Sequence, residues 1–241
     1  RPIRHDGYDK VPGRAQYGAD IKLPGMIFGA VLRSPHAHAK IINIDTSKAE
    51  NMNGVFAVMT AKDLPRLTDK QRGNSEESGS EKHLSENVMA LDKVLYKGHV
   101  VAAVSAKDIN TAREAVKKII VDYKVLKPVI NVDQAMEKGA PILHEEFIGD
   151  HLGKKVKKTN IATYNRYKIG NADDAFKKCD LIVEKEVELQ TVHQGYIEPH
   201  SGTAIWDEDD RVKVWTSTQG SFSNRDSVSK VLNLDVSRVK V

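Results

Sequence analysis

His36 and His38 alternate along Ser34-Pro35-His36-Ala37-His38-Ala39, a spacing that turns both imidazoles to one face of an extended segment, where they can share a metal ion. Zinc-type sites take roughly three or four protein ligands. With no third ligand evident nearby, the pair reads as a structural connection and no protein metal ligand is assigned. His193 and Glu198 stand five residues apart and combine an imidazole with a carboxylate. They can face a substrate channel, or equally cap the end of a strand. The acidic pair Glu145-Glu146 and the run Asp207 to Asp210 fall in a weakly periodic stretch from Ala140 to Thr159 and in a hairpin turn, settings that suit solvation better than general base chemistry. Cys179, the one cysteine, follows a helix with no activating neighbour and is expected to be an inert buried thiol. Neither a G-x-G-x-x-G opening a helix after a strand nor a Walker-type loop occurs, so nothing supports dinucleotide or nucleotide phosphate binding.

The elements that must carry these residues alternate in type. Apolar and β-branched runs predict strands over 28–34, 40–45, 55–60 and 100–105, with a short helix from Thr46 to Met52 stopped at Asn53-Gly54. Ile109, Ala112, Val116, Ile119 and Ile120 recur at helical spacing, with Thr111 and Glu114 placed for a capping box, and β-type composition resumes by Tyr123. Residues 66–87 are rich in Lys, Glu, Ser and Gly and are expected to form a long exposed loop. A short helix over 133–138 precedes a weakly periodic stretch. Beyond it come a strand near 163–169, a helix over 172–178 behind Asn171, and a long alternating strand from Leu181 to Leu189. A hairpin turning at Asp207 to Arg211, a helix over 221–232 and a strand over 236–241 follow, with Tyr196, Trp206 and Trp215 expected to be core or interface aromatics. The class is α+β, and no repeat of solenoid or propeller type appears.

The chain has 241 residues and a formal net charge of +4, with acidic residues interleaved among the lysines rather than segregated from a basic face. That distribution argues against a nucleic-acid partner, and the run Lys154, Lys155, Lys157 and Lys158 reads as a solvated linker. One cysteine excludes an internal disulfide and fits a reducing compartment, with the cytoplasm as the default expectation. No run approaches the ~18 apolar residues that read as a membrane span.

Several segments, in order, resemble the large subunit of the molybdenum hydroxylases, the family of xanthine dehydrogenase and aldehyde oxidase. Gly13-Arg14-Ala15-Gln16-Tyr17-Gly18-Ala19-Asp20, Gly29 to Ala39, Val94 to Val104, Val121-Asp122-Tyr123 and Gly139 to His144 resemble its α/β hammerhead domain. Gly170 to Phe176, Tyr196-Ile197-Glu198-Pro199 and Trp215-Thr216-Ser217-Thr218-Gln219 resemble the opening of its molybdenum-cofactor domain. The resemblance implies a hammerhead domain over 1–147, a linker over 148–162, and the first, incomplete part of a mixed α+β cofactor-binding domain over 163–241. It also places Gln219 beside the metal, where a side-chain amide donates a hydrogen bond without adding charge. By residue type alone, a glutamine after a strand would only satisfy local backbone.

The implied cofactor is molybdenum held by a pyranopterin dithiolene, whose sulfurs supply much of the coordination that a cysteine-poor chain lacks. The implied reaction is hydroxylation of an aromatic heterocycle, an aldehyde or a related small molecule with oxygen from water, in a hetero-oligomer whose iron-sulfur and FAD centres sit on partner domains or subunits. The family's glycine-rich cofactor segment and its distal glutamate base are absent from these residues. The isolated chain is therefore expected to be inactive, either as part of a longer subunit or as a split subunit completed by a second molybdenum-binding polypeptide. A non-catalytic scaffold or assembly module that retains the hammerhead fold is the alternative.

Overall fold

The computed structural model describes residues 2–67 and 81–241. In chain order the elements are α1 (Gly7–Lys10), β1 (Phe28–Arg33), β2 (Ala39–Asp45), α2 (Ser47–Glu50), β3 (Val55–Thr60), α3 (Glu81–Val88), β4 (Lys93–Val94), β5 (Val100–Ala106), α4 (Ile109–Val116) and β6 (Ile120–Val125). They continue with α5 (Val132–Met136), β7 (Ile148–His151), β8 (Lys154–Lys157), β9 (Thr163–Tyr164), α6 (Ala172–Phe176), β10 (Gly202–Trp206), β11 (Val212–Thr216), α7 (Ser221–Leu232) and β12 (Val239–Lys240). This is the expected α+β mixture. The chain divides into two compact units, Arg1–Leu126 with Glu198–Val241, and Lys127–Ile197.

In the first unit, β5 reads Val-Val-Ala-Ala-Val-Ser-Ala, a composition suited to burial with neighbours on both edges. It is the central strand of the sheet β1-β5-β3 and runs antiparallel to both flanks, with Phe28 and Val55 each opposite Ala106. A second antiparallel sheet, β4-β2-β6, pairs Ala39 with Val94 on one side and Val125 on the other. Helix α4 turns the buried Ala112 and Ala115 inward, and one core cluster joins Ala49, Ala102, Val104, Ala115 and Ile119. Another joins Ala39, Ala90, Val94 and Val101. Full burial of each such valine is worth on the order of 1.5–3 kcal/mol, while the alanines let backbones approach closely.

Helix α4 is capped one turn earlier than its capping-box pattern predicts. Asp108 accepts the Thr111 amide at 2.8 Å and the Thr111 hydroxyl at 2.8 Å, while Glu114 pairs with Lys117. An aspartate at the cap satisfies the first-turn donors directly, so the Thr111 hydroxyl is drawn into the cap as a donor.

The expected loop over 66–87 is corrected at its far end, where α3 occupies Glu81–Val88; residues 68–80 of that expectation lie outside the described residues. Composition misled because the helix draws its stability from a few tertiary contacts. Leu84 packs on a cluster of Leu64, Met89 and Val231, the last contributed by α7.

β10 and β11 form the expected hairpin, Gly202 opposite Thr216 and Trp206 opposite Val212. Its turn is held by Asp207, whose Oδ1 accepts the amides of Asp209 and Arg211 at 3.1 and 2.8 Å, and Asp210 takes a left-handed φ of 58°. Helix α7 then returns the chain so that β12 lies parallel to β11, with Val212 opposite Val239. Asn233 ends α7 in the left-handed conformation, a role asparagine fills with little strain.

The second unit contains an antiparallel β7–β8 hairpin with β9 parallel to β7, within and just after the stretch expected to link the domains. Asn160 holds it. Its amide nitrogen donates to the carbonyls of Ala135 at 3.1 Å and Pro141 at 2.9 Å, and its oxygen accepts the Leu143 amide at 3.1 Å. The strand expected near 163–169 is reduced to Thr163–Tyr164. The long strand expected from Leu181 to Leu189 does not form: those residues make no ladder, and Leu181 and Leu189 are 79% and 86% exposed. Period-2 alternation supplies two faces, but a strand exists only where a neighbour pairs its backbone, and no described segment does so here. Cys179 is likewise exposed rather than buried, its Sγ donating to the Ala175 carbonyl at 3.3 Å. Nothing among the described residues covers α6, whose Phe176 is also exposed.

Candidate functional site

Gln219 lies on the short connection between β11 and α7, with its side chain exposed. Its amide makes no hydrogen bond to any described residue, while every neighbour on the connection is tied down. On the strand side, the Thr216 hydroxyl donates to the Ser201 carbonyl at 3.0 Å, and the Ser217 hydroxyl donates to Glu198 Oε1 at 2.8 Å. On the helix side, Thr218 Oγ1 accepts the Gly220 amide at 3.1 Å and the side-chain amide of Asn224. Asn224 in turn donates to the Gly220 carbonyl at 3.0 Å. Gly220 itself brings no side chain to cap α7, and a Cβ there would come within 2.7 Å of Ser223 Oγ.

Glu198 therefore belongs to the Gln219 neighbourhood. Besides Ser217, its Oε1 accepts the Gly18 amide at 3.4 Å, which seats the 17–20 segment against the start of β10. That segment is a single 3-10 turn in which Asp20 accepts the Tyr17 amide at 3.0 Å. His193, the other member of the sequence pair, lies in the second unit, where it accepts the Gly195 amide at 3.0 Å and packs against Tyr196 with ring centres 5.1 Å apart.

The remaining candidates have structural partners. Ser34 brackets the backbone of His36 through two 3.0 Å hydrogen bonds, the His36 ring meets Tyr123 edge-on, and the buried His38 offers its carbonyl to Leu126. Among the described residues no three His, Cys, Asp or Glu side chains converge on a common point. The Trp206 indole donates to Asp210 at 3.1 Å, and Lys213 lies over the Trp215 ring. Two residues near Gln219 escape sequence reasoning, Gly18 and Ser201. A Cβ on Gly18 would come 2.5 Å from Ser201 Oγ, and that hydroxyl is buried with no hydrogen-bond partner among the described residues. Gly18 sits inside a recognisable segment, but nothing local signals which residue it will face 180 positions later.

The donor set fits a cofactor that brings its own metal ligands. It offers a neutral amide with no partner among the described residues and the N-terminus of a 12-residue helix without a side-chain cap, and among the described residues no cluster of metal-binding side chains. Such groups hydrogen-bond to oxygen atoms of a ligand without competing for the metal.

Residues 12–127 match the family model described as aldehyde oxidase and xanthine dehydrogenase, a/b hammerhead domain, and residues 153–241 match the molybdopterin cofactor-binding domain. The chain is 30% identical over 239 residues to the nicotinate dehydrogenase large molybdopterin subunit of Eubacterium barkeri, covering 99% of this chain and 51% of that one. It is 33% identical over 233 residues to the carbon monoxide dehydrogenase large chain of Afipia carboxidovorans, covering 95% and 28%. It spans about half the length of the first of these relatives and under a third of the second. The solved structure of reconstituted CO dehydrogenase from Oligotropha carboxidovorans superposes with a TM-score of 0.79 at 30% identity, covering 99% of this chain and 29% of that one. The aldehyde oxidoreductase of Desulfovibrio gigas shares the fold, with a TM-score of 0.76 at 22% identity. No described helix is long and apolar enough to cross a membrane. With both family models matched in order along the chain, it belongs to the molybdenum hydroxylase family of xanthine dehydrogenases and aldehyde oxidases.

Proposed function

We propose that this chain forms the hammerhead and the first cofactor-contacting stretch of the large subunit of a cytoplasmic molybdenum-dependent hydroxylase, with Gln219 as its contact to the cofactor. The domain limits proposed are 1–147, 148–162 and 163–241, an order supported by the matched ranges 12–127 and 153–241. The substrate class is an electron-poor aromatic heterocycle, an aldehyde or a related small molecule, converted as R–H + H2O to R–OH with two electrons and two protons released. Iron-sulfur and FAD centres on partner subunits or domains receive the electrons, and a further polypeptide stretch completes the site.

When bound, a molybdenum pyranopterin supplies the two-electron redox chemistry and the oxygen transfer. The chain's own residues position and polarise. The Gln219 amide donates to an oxygen of the group without altering local charge, and the first turn of α7, left without a side-chain cap, adds a partial positive potential beside it. The observation that carries this reading is the exposed Gln219 amide, which has no partner among the described residues on a connection whose other members are all anchored. Gln219→Ala in the complete, molybdenum-loaded enzyme tests it. Turnover is expected to fall by about tenfold to a hundredfold, the loss of one oriented donor, with molybdenum content unchanged. Unaltered turnover would overturn the assignment.

A further inference from the structure

We propose that Glu198 is the positioning residue for Gln219: a single carboxylate oxygen clamps the 217–220 connection to the 17–20 segment and thereby fixes where the Gln219 amide points. The inference rests on the role given to Gln219 above. Glu198 Oε1 accepts from the Ser217 hydroxyl at 2.8 Å, 19 residues away, and from the Gly18 amide at 3.4 Å, 180 residues away, so one atom joins two segments distant in sequence. The other anchors of the connection are local. Thr216 bonds to Ser201 across the hairpin, and Thr218, Gly220 and Asn224 bond among themselves at the head of α7. These local bonds set the shape of the connection, while Glu198 sets its place against the rest of the unit.

Gly18 makes the approach possible. A Cβ at this position would lie 2.5 Å from Ser201 Oγ and 3.6 Å from Ser217 Oγ, so only a residue without a side chain brings its amide this close to Glu198. The role is geometric. Both donors are neutral and both use the same acceptor atom, so an amide oxygen at position 198 serves as well as a carboxylate. Aspartate, shorter by one methylene, would not reach both. This distinguishes a positioning residue from a carboxylate that faces substrate, the role for which Glu198 and His193 are candidates by sequence.

The test compares Glu198→Gln, Glu198→Ala and Ser217→Ala by two readouts. In the full chain, amide hydrogen exchange over residues 217–220 is measured; in the molybdenum-loaded enzyme, kcat, KM and molybdenum content are measured. Glu198→Ala and Ser217→Ala are expected to speed exchange on this connection by about fivefold to tenfold, the loss of one hydrogen bond, and to lower kcat by a similar factor with KM and molybdenum content unchanged. Glu198→Gln is expected to remain close to the parent in both readouts. Loss of activity in Glu198→Gln with Ser217→Ala unaffected would overturn the proposal, because the charge itself would then be at work. Unchanged exchange in both Glu198→Ala and Ser217→Ala would overturn it as well. If exchange responds as expected but Gln219→Ala leaves turnover intact, the clamp stands and the reading of Gln219 fails.

Discussion

His99, fully buried, donates from Nε2 to the carbonyl of Glu86 at 2.7 Å and so ties the approach to β5 to helix α3. Its Nδ1 accepts the Leu95 amide at 3.3 Å, and its ring stacks on Tyr96 with centroids 4.4 Å apart. Together these contacts require the neutral imidazole with the proton on Nε2, because an imidazolium would turn a donor toward the Leu95 N–H. Burial, the largest influence, holds the pKa below the ordinary histidine value, against the smaller raising effect of the Glu86 and Asn87 backbone.

A histidine whose folded-state pKa is depressed binds fewer protons folded than unfolded once the pH drops past its ordinary value. Its contribution to stability is therefore complete above about pH 6.5 and is lost as the pH falls below that value. Thermal unfolding of the parent and of His99→Gln between about pH 7.5 and about pH 5 checks this, the ordinary histidine range lying between those limits. The parent is expected to lose Tm more steeply on acidification, and the two curves to converge. Parallel curves would contradict it.

Asn160 closes the second unit with three hydrogen bonds to the backbone of Ala135, Pro141 and Leu143. Asn160→Ala leaves those groups without their partner and is expected to destabilise the chain by about 2 kcal/mol in a denaturant titration. Asn160→Asp keeps the acceptor for Leu143 but loses both donated bonds, so it should not restore stability.

Gly149, on β7, faces the Ile161 carbonyl, and a Cβ would sit 2.4 Å from that oxygen and 3.1 Å from the Thr159 methyl. The obstacle is backbone and cannot rotate away. Gly149→Ala is expected to cost about 1–3 kcal/mol and to loosen the β7–β9 pairing, seen as faster amide exchange at Leu152.

Much of the first unit was legible from residue order because its signals are short-range. The apolar run of β5, the helical spacing that became α4 and the acidic turn at Asp207 each declare themselves within a few residues. The errors share a different cause. Helix α3 was hidden because Leu84 has its apolar partners at Leu64 and Val231, far away in sequence. The alternation from Leu181 to Leu189 promised a strand that found no described neighbour to pair with.

The candidate site divides along the same line. Gln219 became a candidate only through the resemblance carried by Trp215-Thr216-Ser217-Thr218-Gln219, whereas the hairpin and helix on either side of it could be drawn from local composition, because turns and caps are closed by groups two to four residues apart. That Glu198 would accept from Ser217 and Gly18, that His193 would belong to the other unit, and that a buried Ser201 hydroxyl would stand against Gly18 emerged only on folding. The contacts of Gly18 depend on where the chain returns 180 residues later, and no local pattern of side chains encodes that path.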